Sequence, residues 1–375
     1  MIRILHLIEG LGSMGGAERR LLNDVTRLND PFSHTVAYLF PQDSLKGLFQ
    51  ERCVSTIGLG LKGLADPRAI PRFSSVIRRV RPDLIHTQLF GADCYGRLIG
   101  RLMGVPVVST VQSSVYVSPD PYLRSAKHEW VDRWTARTCV DRLVAVSEFV
   151  KELLRKRFRI ADSRIQVIPN AVDPSPFERV DSQAVRHLRE VLGISGKSKV
   201  LITVGKLNPP KGHRYVLEAL ASLCRESSDL LWLVVGEGIS RVELEEQVQK
   251  EGLQRYVRFL GLRSDVPELL ALSDLFVFPS LSEGLPFVLL EAMAAGKPCI
   301  GFRIGPMPEV IDDGKTGFVV EPFSSAAFTA AIRLLLTDSW RCRLMGEQAR
   351  ERVHRLFHAD ERARQLGELY RQVVG

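Results

Sequence analysis

The chain has 375 residues, more than one hydrophobic core ordinarily serves, and its 45% hydrophobic and 25% charged residues exclude a disordered or fibrous protein in favour of two globular domains. The net charge of +8 is uneven, with 25 Lys+Arg against 16 Asp+Glu (+9) in residues 1–172 and 26 against 27 (−1) in residues 173–375. Cys53, Cys94, Cys139, Cys224, Cys299 and Cys342 show no metal or C-x-x-C spacing, and no apolar run approaches bilayer length, so reduced thiols and a cytoplasmic protein are expected.

Residues 2–8 read as a buried strand, the start being too short for a signal peptide. Further strands are expected near 34–40, 84–87, 107–111, 143–147 and 165–168, with helices filling the gaps. After the first strand, Gly10-Leu11-Gly12-Ser13-Met14-Gly15 matches the dinucleotide fingerprint, so an NAD-dependent oxidoreductase is a remote alternative. The second strand brings no acid before Asp43, whereas the fingerprint wants one there for the ribose. Gly15-Gly16-Ala17-Glu18 reads better as a glycine loop opening a helix, with Gly16 giving backbone access to a substrate. Lys151 to Arg159 mixes Leu and Phe with five basic side chains, which suits an anionic membrane surface or a phosphorylated acceptor, or a solvated basic helix.

Asn170-Ala171-Val172-Asp173-Pro174 is a turn at which the periodicity resets, dividing the chain into domains 1–172 and 173–357. A second series of strands is expected near 199–204, 230–235, 257–260, 275–279, 298–302 and 317–320. Two doubly wound α/β domains would face an interdomain cleft, and the last helix, about 358–375, would pack back on the first domain. Lys206 and Lys211 follow the first strand of the second series and, if the leaving group is a nucleoside diphosphate, would neutralise its charge, or else are two solvated loop lysines. Ser282 to Pro298 holds two carboxylates around a helix start, with Pro286 in the first turn and the end at Gly296. Glu283 in the loop and Glu291 just inside the helix would share one mouth with the amides near Phe287 and Val288, or else be a loop acid plus a surface acid, or part of a buried ion pair with a distant Arg. No Asp-x-Asp clamp, serine elbow or Walker loop occurs, so no metal, cofactor, serine hydrolase or P-loop NTPase is expected.

The ordered set Gly15-Gly16-Ala17-Glu18, Val146-Ser147-Glu148, Asn170 to Asp173, Gly205-Lys206 with Lys211-Gly212, Glu283 to Glu291, Gly305 to Glu309 and Asp313 to Gly317 resembles the retaining GT-B-fold glycosyltransferases of family four over nearly the whole chain. The resemblance implies a metal-independent, retaining hexosyltransferase that takes a nucleotide sugar, a uridine diphosphate sugar first and guanosine diphosphate mannose second. Its acceptor would be a glycan or lipid-linked polysaccharide intermediate. Glu283 would contact the transferred sugar, Gly284, Leu285, Pro286, Phe287 and Val288 would line sugar and phosphate, and Glu291 would hold the ribose. Lys206 and Lys211 would grip the diphosphate, with Gly16 beside them, and Arg263 would lie near the nucleobase. Acceptor-side candidates are Gly15, His86 and Gln112, although His86 reads first as a satisfied histidine at a strand end. Gln112 stands where many members carry a His and cannot act as a base, which keeps open a noncatalytic sugar-nucleotide or glycan-binding subunit. No nucleic-acid partner is expected, and the basic first half implies peripheral contact with the inner membrane face.

Overall fold

The computed structural model describes residues 1–112, 126–225 and 229–375. They form two compact units, one holding the described residues of 1–170 with 359–375 and the other those of 171–358.

In the first unit, β1 (Ile2–Ile8), β2 (Phe32–Tyr38), β3 (Ser55–Gly58), β4 (Leu84–Gln88), β5 (Val107–Val111), β6 (Arg142–Ala145) and β7 (Ile165–Val167) form one sheet in the order β3-β2-β1-β4-β5-β6-β7. Every pairing is parallel. Such a sheet is covered on both faces, so its central strands are apolar runs rather than alternations, and Ile4, Leu5, Leu7, Ile8, Leu84 and Ile85 are buried. The C-terminal helix Ala359–Val374 belongs to this unit, where Ala363, Leu366, Leu369 and Tyr370 pack with Ile4, Leu28, Phe32, Leu84, Val108 and Val144. Beneath it runs a buried polar seam. Arg362 pairs with Asp24 of the helix Gly16–Arg27, and Arg20 Nη1 donates to Asn170 Oδ1 at 2.8 Å. Burial, with Arg362 close by, pulls the Arg20 guanidinium down to about 9.

The structure refines two readings of this unit. The edge strand β3 was not anticipated, because Ser55-Thr56-Ile57-Gly58 is short and half polar, and an edge strand is buried on fewer sides. The apolar residues of Lys151 to Arg159 face the core, which fits the solvated basic helix among the alternatives. The helix Glu148–Lys156, capped by Ser147, sends Leu153 and Leu154 into the core with Phe158. Lys151 pairs with Asp162 at 3.0 Å, Arg155 and Lys156 each with Glu152 at 2.7 Å, and Arg157 with Glu129.

In the second unit, β8 (Lys199–Val204), β9 (Leu230–Val235), β10 (Val257–Gly261), β11 (Leu275–Phe278), β12 (Cys299–Phe302) and β13 (Gly317–Val320) form a parallel sheet in the order β10-β9-β8-β11-β12-β13. Leu201, Trp232, Val234, Leu275, Val277 and Ile300 meet Val216, Leu220, Phe328 and Ile332 from the covering helices. The strand order reverses between β1 and β4 in one sheet and between β8 and β11 in the other. Loops leaving neighbouring strands diverge there and open a crevice, the usual ligand position in doubly wound sheets.

Candidate active site

At the reversal in the second sheet, β8 and β11 are hydrogen-bonded neighbours, with Leu275 opposite Leu201 and Phe276 opposite Ile202. Their exits, 205–212 and 279–286, therefore lie side by side. Leu281 N–H donates to Pro210 O at 2.8 Å, and the Ser280 hydroxyl also reaches Pro210 O at 3.4 Å. Two glycines permit these approaches. A Cβ on Gly212, whose φ is +65°, would stand 2.1 Å from Pro279 O, and one on Gly236, after β9, 1.9 Å from Gly205 O.

This stitching brings Lys211 and Glu283 together as an ion pair. Glu283 Oε1 also accepts from Ser280 Oγ at 2.7 Å, and Lys211 Nζ lies 5.7 Å from the Phe278 ring centroid. The side chains are 27% and 13% exposed for Lys211 and Glu283, so both remain open to a ligand. Lys206, in the same loop, is exposed and has no ion-pair partner among the described residues. Sequence reasoning placed Lys211 and Glu283 on different parts of one donor and missed their mutual contact. It also missed Ser280, whose only signal was a hydroxyl three residues before a loop carboxylate.

The helix after this loop is Phe287–Ala294, with Pro286 as its N-cap rather than inside the first turn. No side chain caps it, and Gly284, Leu285 and Phe287 are buried around its start. Because the helix is apolar on all sides, Glu291 is buried with its neighbours at 5% exposure. The helix ends at Ala294, and Gly296 follows at φ +69°. Arg263 lies past β10, where its guanidinium holds Asp265 at 2.8 and 2.5 Å.

The first-unit candidates divide differently. Gly15 is the N-cap of the helix Gly16–Arg27, its N–H held by Glu18 Oε2 at 3.0 Å, and Gly16 is exposed. The fingerprint glycines serve loop packing, since a Cβ on Gly12 would come within 2.7 Å of Gln42 Cβ, while Leu11 N–H donates to Gln42 O at 2.7 Å. Gln112, just past β5, donates from Nε2 to Gln88 Oε1 at 2.6 Å at the end of β4. The residues beyond it, Ser113 and Ser114 included, lie outside those described. His86 takes the satisfied role rather than the acceptor-side one. It sits inside β4 rather than at its end, fully buried, with Nδ1 2.5 Å from the Tyr370 hydroxyl and Nε2 2.7 Å from Thr110 Oγ1, so neither nitrogen can serve an acceptor. Burial, reinforced by Arg20 and Arg362, holds this imidazole neutral, well below its usual value.

Two family models match the chain, Glycosyltransferase Family 4 over residues 14–176 and Glycosyl transferases group 1 over residues 185–352. The chain belongs to glycosyltransferase family 4. It is 28% identical, over 100% of its length and 96% of the relative's, to the UDP-Gal:alpha-D-GlcNAc-diphosphoundecaprenol alpha-1,3-galactosyltransferase of Escherichia coli. It is 35% identical to the N-acetyl-alpha-D-glucosaminyl L-malate synthase of Bacillus anthracis over 56% of this chain and 54% of that one. The structure of Anabaena HepE in complex with UDP-glucose superposes with a TM-score of 0.88 at 22% identity, covering 99% of this chain and 100% of the other, and shows the shared fold. This family-4 protein is thus a GT-B-fold glycosyltransferase that uses a nucleotide sugar. These matches support the glycosyltransferase over the oxidoreductase and the noncatalytic subunit considered from the sequence.

Proposed function

We propose that this glycosyltransferase moves a hexose from a uridine diphosphate sugar to a lipid-linked glycan acceptor, with retention at the anomeric carbon and without a metal ion or other cofactor. The carrying observation is the Lys211–Glu283 pair across the β8 and β11 exits, with the unpaired Lys206 in the same loop. Each charge of the pair answers the other. A diphosphate would draw Lys211 toward itself and join Lys206, freeing Glu283, still held by Ser280, to accept hydrogen bonds from the sugar hydroxyls. Amides from Gly284 to Val288 at the helix start would meet sugar and phosphate oxygens, Glu291 the ribose, and Arg263 the base. The lipid-linked acceptor and the uridine nucleotide are supported by the activity for which the Escherichia coli relative is named.

Gln112 has no proton-accepting nitrogen and is engaged by Gln88. Same-face transfer suits this chemistry: the departing phosphate oxygen takes the acceptor proton while Lys206 and Lys211 stabilise the charge that develops on it. Gly15 and Gln112, at strand exits of the first unit, are assigned to the acceptor side, and Gly16 to the donor. We assign the protein to the cytoplasm, in peripheral contact with the membrane that holds its acceptor. No helix among the described residues is long and apolar enough to cross a membrane.

The test is a thermal-shift series with UDP-glucose, UDP-galactose, UDP-N-acetylglucosamine and GDP-mannose. A specific donor at 100 times its Kd stabilises by about 2.7 kcal/mol. A uridine diphosphate sugar should shift the wild-type chain and fail to shift Lys211→Ala. A shift by GDP-mannose alone would overturn the donor assignment, and equal shifts of wild type and Lys211→Ala would overturn the site.

A further inference from the structure

The helix Ala126–Thr138 has two unlike faces. Asp132, Thr135 and Ala136 are buried, and Asp132 holds the buried Arg97. Glu129 holds Arg157, so both carboxylates of the helix are engaged away from its outer face. That face carries Trp130 and Trp134, one turn apart and 62% and 44% exposed. Arg133 and Arg137 stand with them around a hollow of ≈ 310 Å³ completed by Thr138, and exposed Lys127 precedes them by one turn. None of these three cations has a carboxylate within ion-pair distance among the described residues.

Two indoles in water leave much apolar surface unburied, and an indole has a polar N–H at its edge. Both properties suit the boundary between lipid headgroups and acyl chains. Guanidinium groups on the same face match lipid phosphates bidentately. A soluble acidic partner would satisfy the arginines but not the indoles.

We propose that the Trp130–Arg137 face docks this glycosyltransferase on an anionic bilayer surface, with the indoles at headgroup depth and Lys127, Arg133 and Arg137 on the phosphates. The +9 balance of residues 1–172 adds long-range attraction of the same sign. This surface replaces Lys151 to Arg159, whose apolar residues are in the core and whose charges are mostly paired. The proposal rests on the lipid-linked acceptor reading for its use and on the exposed face for its existence.

The experiment is sedimentation of the full chain with vesicles of equal parts phosphatidylcholine and phosphatidylglycerol, and with phosphatidylcholine alone. Binding should favour the anionic vesicles and weaken with salt, since charges at a surface are screened beyond roughly 8–10 Å at physiological ionic strength. Trp130→Ala with Trp134→Ala, and Arg133→Glu with Arg137→Glu, should each lower partitioning by about 10-fold or more while leaving the nucleotide-sugar thermal shift unchanged. Arg155→Ala with Lys156→Ala should bind as wild type. In a Trp340→Phe chain the remaining indoles are Trp130, Trp134 and the buried Trp232, so brominated phosphatidylglycerol should quench its emission without any change to the docking face.

Equal binding to both vesicles, wild-type binding by the Trp130 and Trp134 variant, or no quenching would overturn the docking face. A lipid-free dimer that the tryptophan substitutions convert to a monomer, with no vesicle binding, would make the face a contact between copies and also overturn it. Vesicle binding without any nucleotide-sugar shift would instead overturn the donor assignment and leave the docking face standing.

Discussion

Lys211 and Glu283 are separated by 72 positions, and their contact exists only because β8 and β11 are neighbours in the sheet. Each was legible separately, since a cation or carboxylate in a loop after a parallel strand stands where such sheets bind ligands. Their pairing was not, because nothing local specifies which two strand exits meet. Removing Lys211 leaves Glu283 with the Ser280 hydroxyl but no counter-charge at the donor phosphate. Lys211→Ala should therefore lower kcat/KM for transfer by roughly 10²–10³-fold, the usual cost of one transition-state charge contact, with little change in urea midpoint. Ser280→Ala should cost less, about 10-fold, because it releases the orientation of Glu283 without removing a charge. Steady-state kinetics on both variants check the ranking, and a larger loss for Ser280→Ala would contradict it. His86 shows the opposite failure of local reading. Its neighbours Leu84 and Ile85 identify a strand, but β4 lies between β1 and β5, so the imidazole is enclosed and meets Tyr370, which follows 284 residues later.

Among the elements, the strands β1, β5, β8, β9 and β13 stood out at their observed limits, because short runs rich in apolar and β-branched residues lie between turn signals. β2 was displaced by two residues, Phe32–Tyr38 against 34–40, since Phe32 looks like part of a turn until it is paired with Ile2. The glycines after β8 and β9 illustrate a requirement seen only in three dimensions. Gly212→Ala would add a Cβ 2.1 Å from Pro279 O at a φ of +65°, and Gly236→Ala one 1.9 Å from Gly205 O at +133°. Each should destabilise by at least about 2 kcal/mol, read as a lowered urea midpoint, and neither should be tolerated as an ordinary loop substitution. In the C-terminal helix, Arg362→Met would strand Asp24 beside Arg20 in a buried seam, where breaking an ion pair from one side typically costs about 3–5 kcal/mol. Tyr370→Phe should cost about 1–3 kcal/mol by leaving His86 Nδ1 without its hydroxyl. A Tyr370→Phe protein as stable as wild type would show that this contact contributes nothing.

For the whole molecule, the buried histidines set the response to acid. His6, His34 and His86 in the first unit and His213 in the second all lie below their ordinary value, chiefly through burial, with His213 pulled down to about 4. At pH 7 these groups are neutral both folded and unfolded. As pH falls below 6.5 the unfolded chain takes up protons that the native fold refuses, so stability should decline, by as much as about 1.4 kcal/mol per pH unit for each fully excluded imidazole. Asp93 acts in the other direction. Burial raises its carboxyl to about 7 despite Arg97, so it favours the fold as pH falls from 7 toward 4. Four histidines outweigh one carboxyl, and urea midpoints at pH 7.5 and 5 should show the protein weaker in acid. Equal midpoints would contradict the burial of the histidines. The sequence alone determined the alternation of strands and helices, the excess of positive charge in residues 1–172 and the residue types at the donor loops, because propensity, periodicity and charge are written locally. Only the tertiary structure decided that Lys211 faces Glu283, that His86 is enclosed, that the apolar side of Lys151 to Arg159 serves the core, and that Trp130 and Trp134 remain outside. Those outcomes depend on which strands become neighbours and which helix face meets a sheet, a choice made by packing the whole chain.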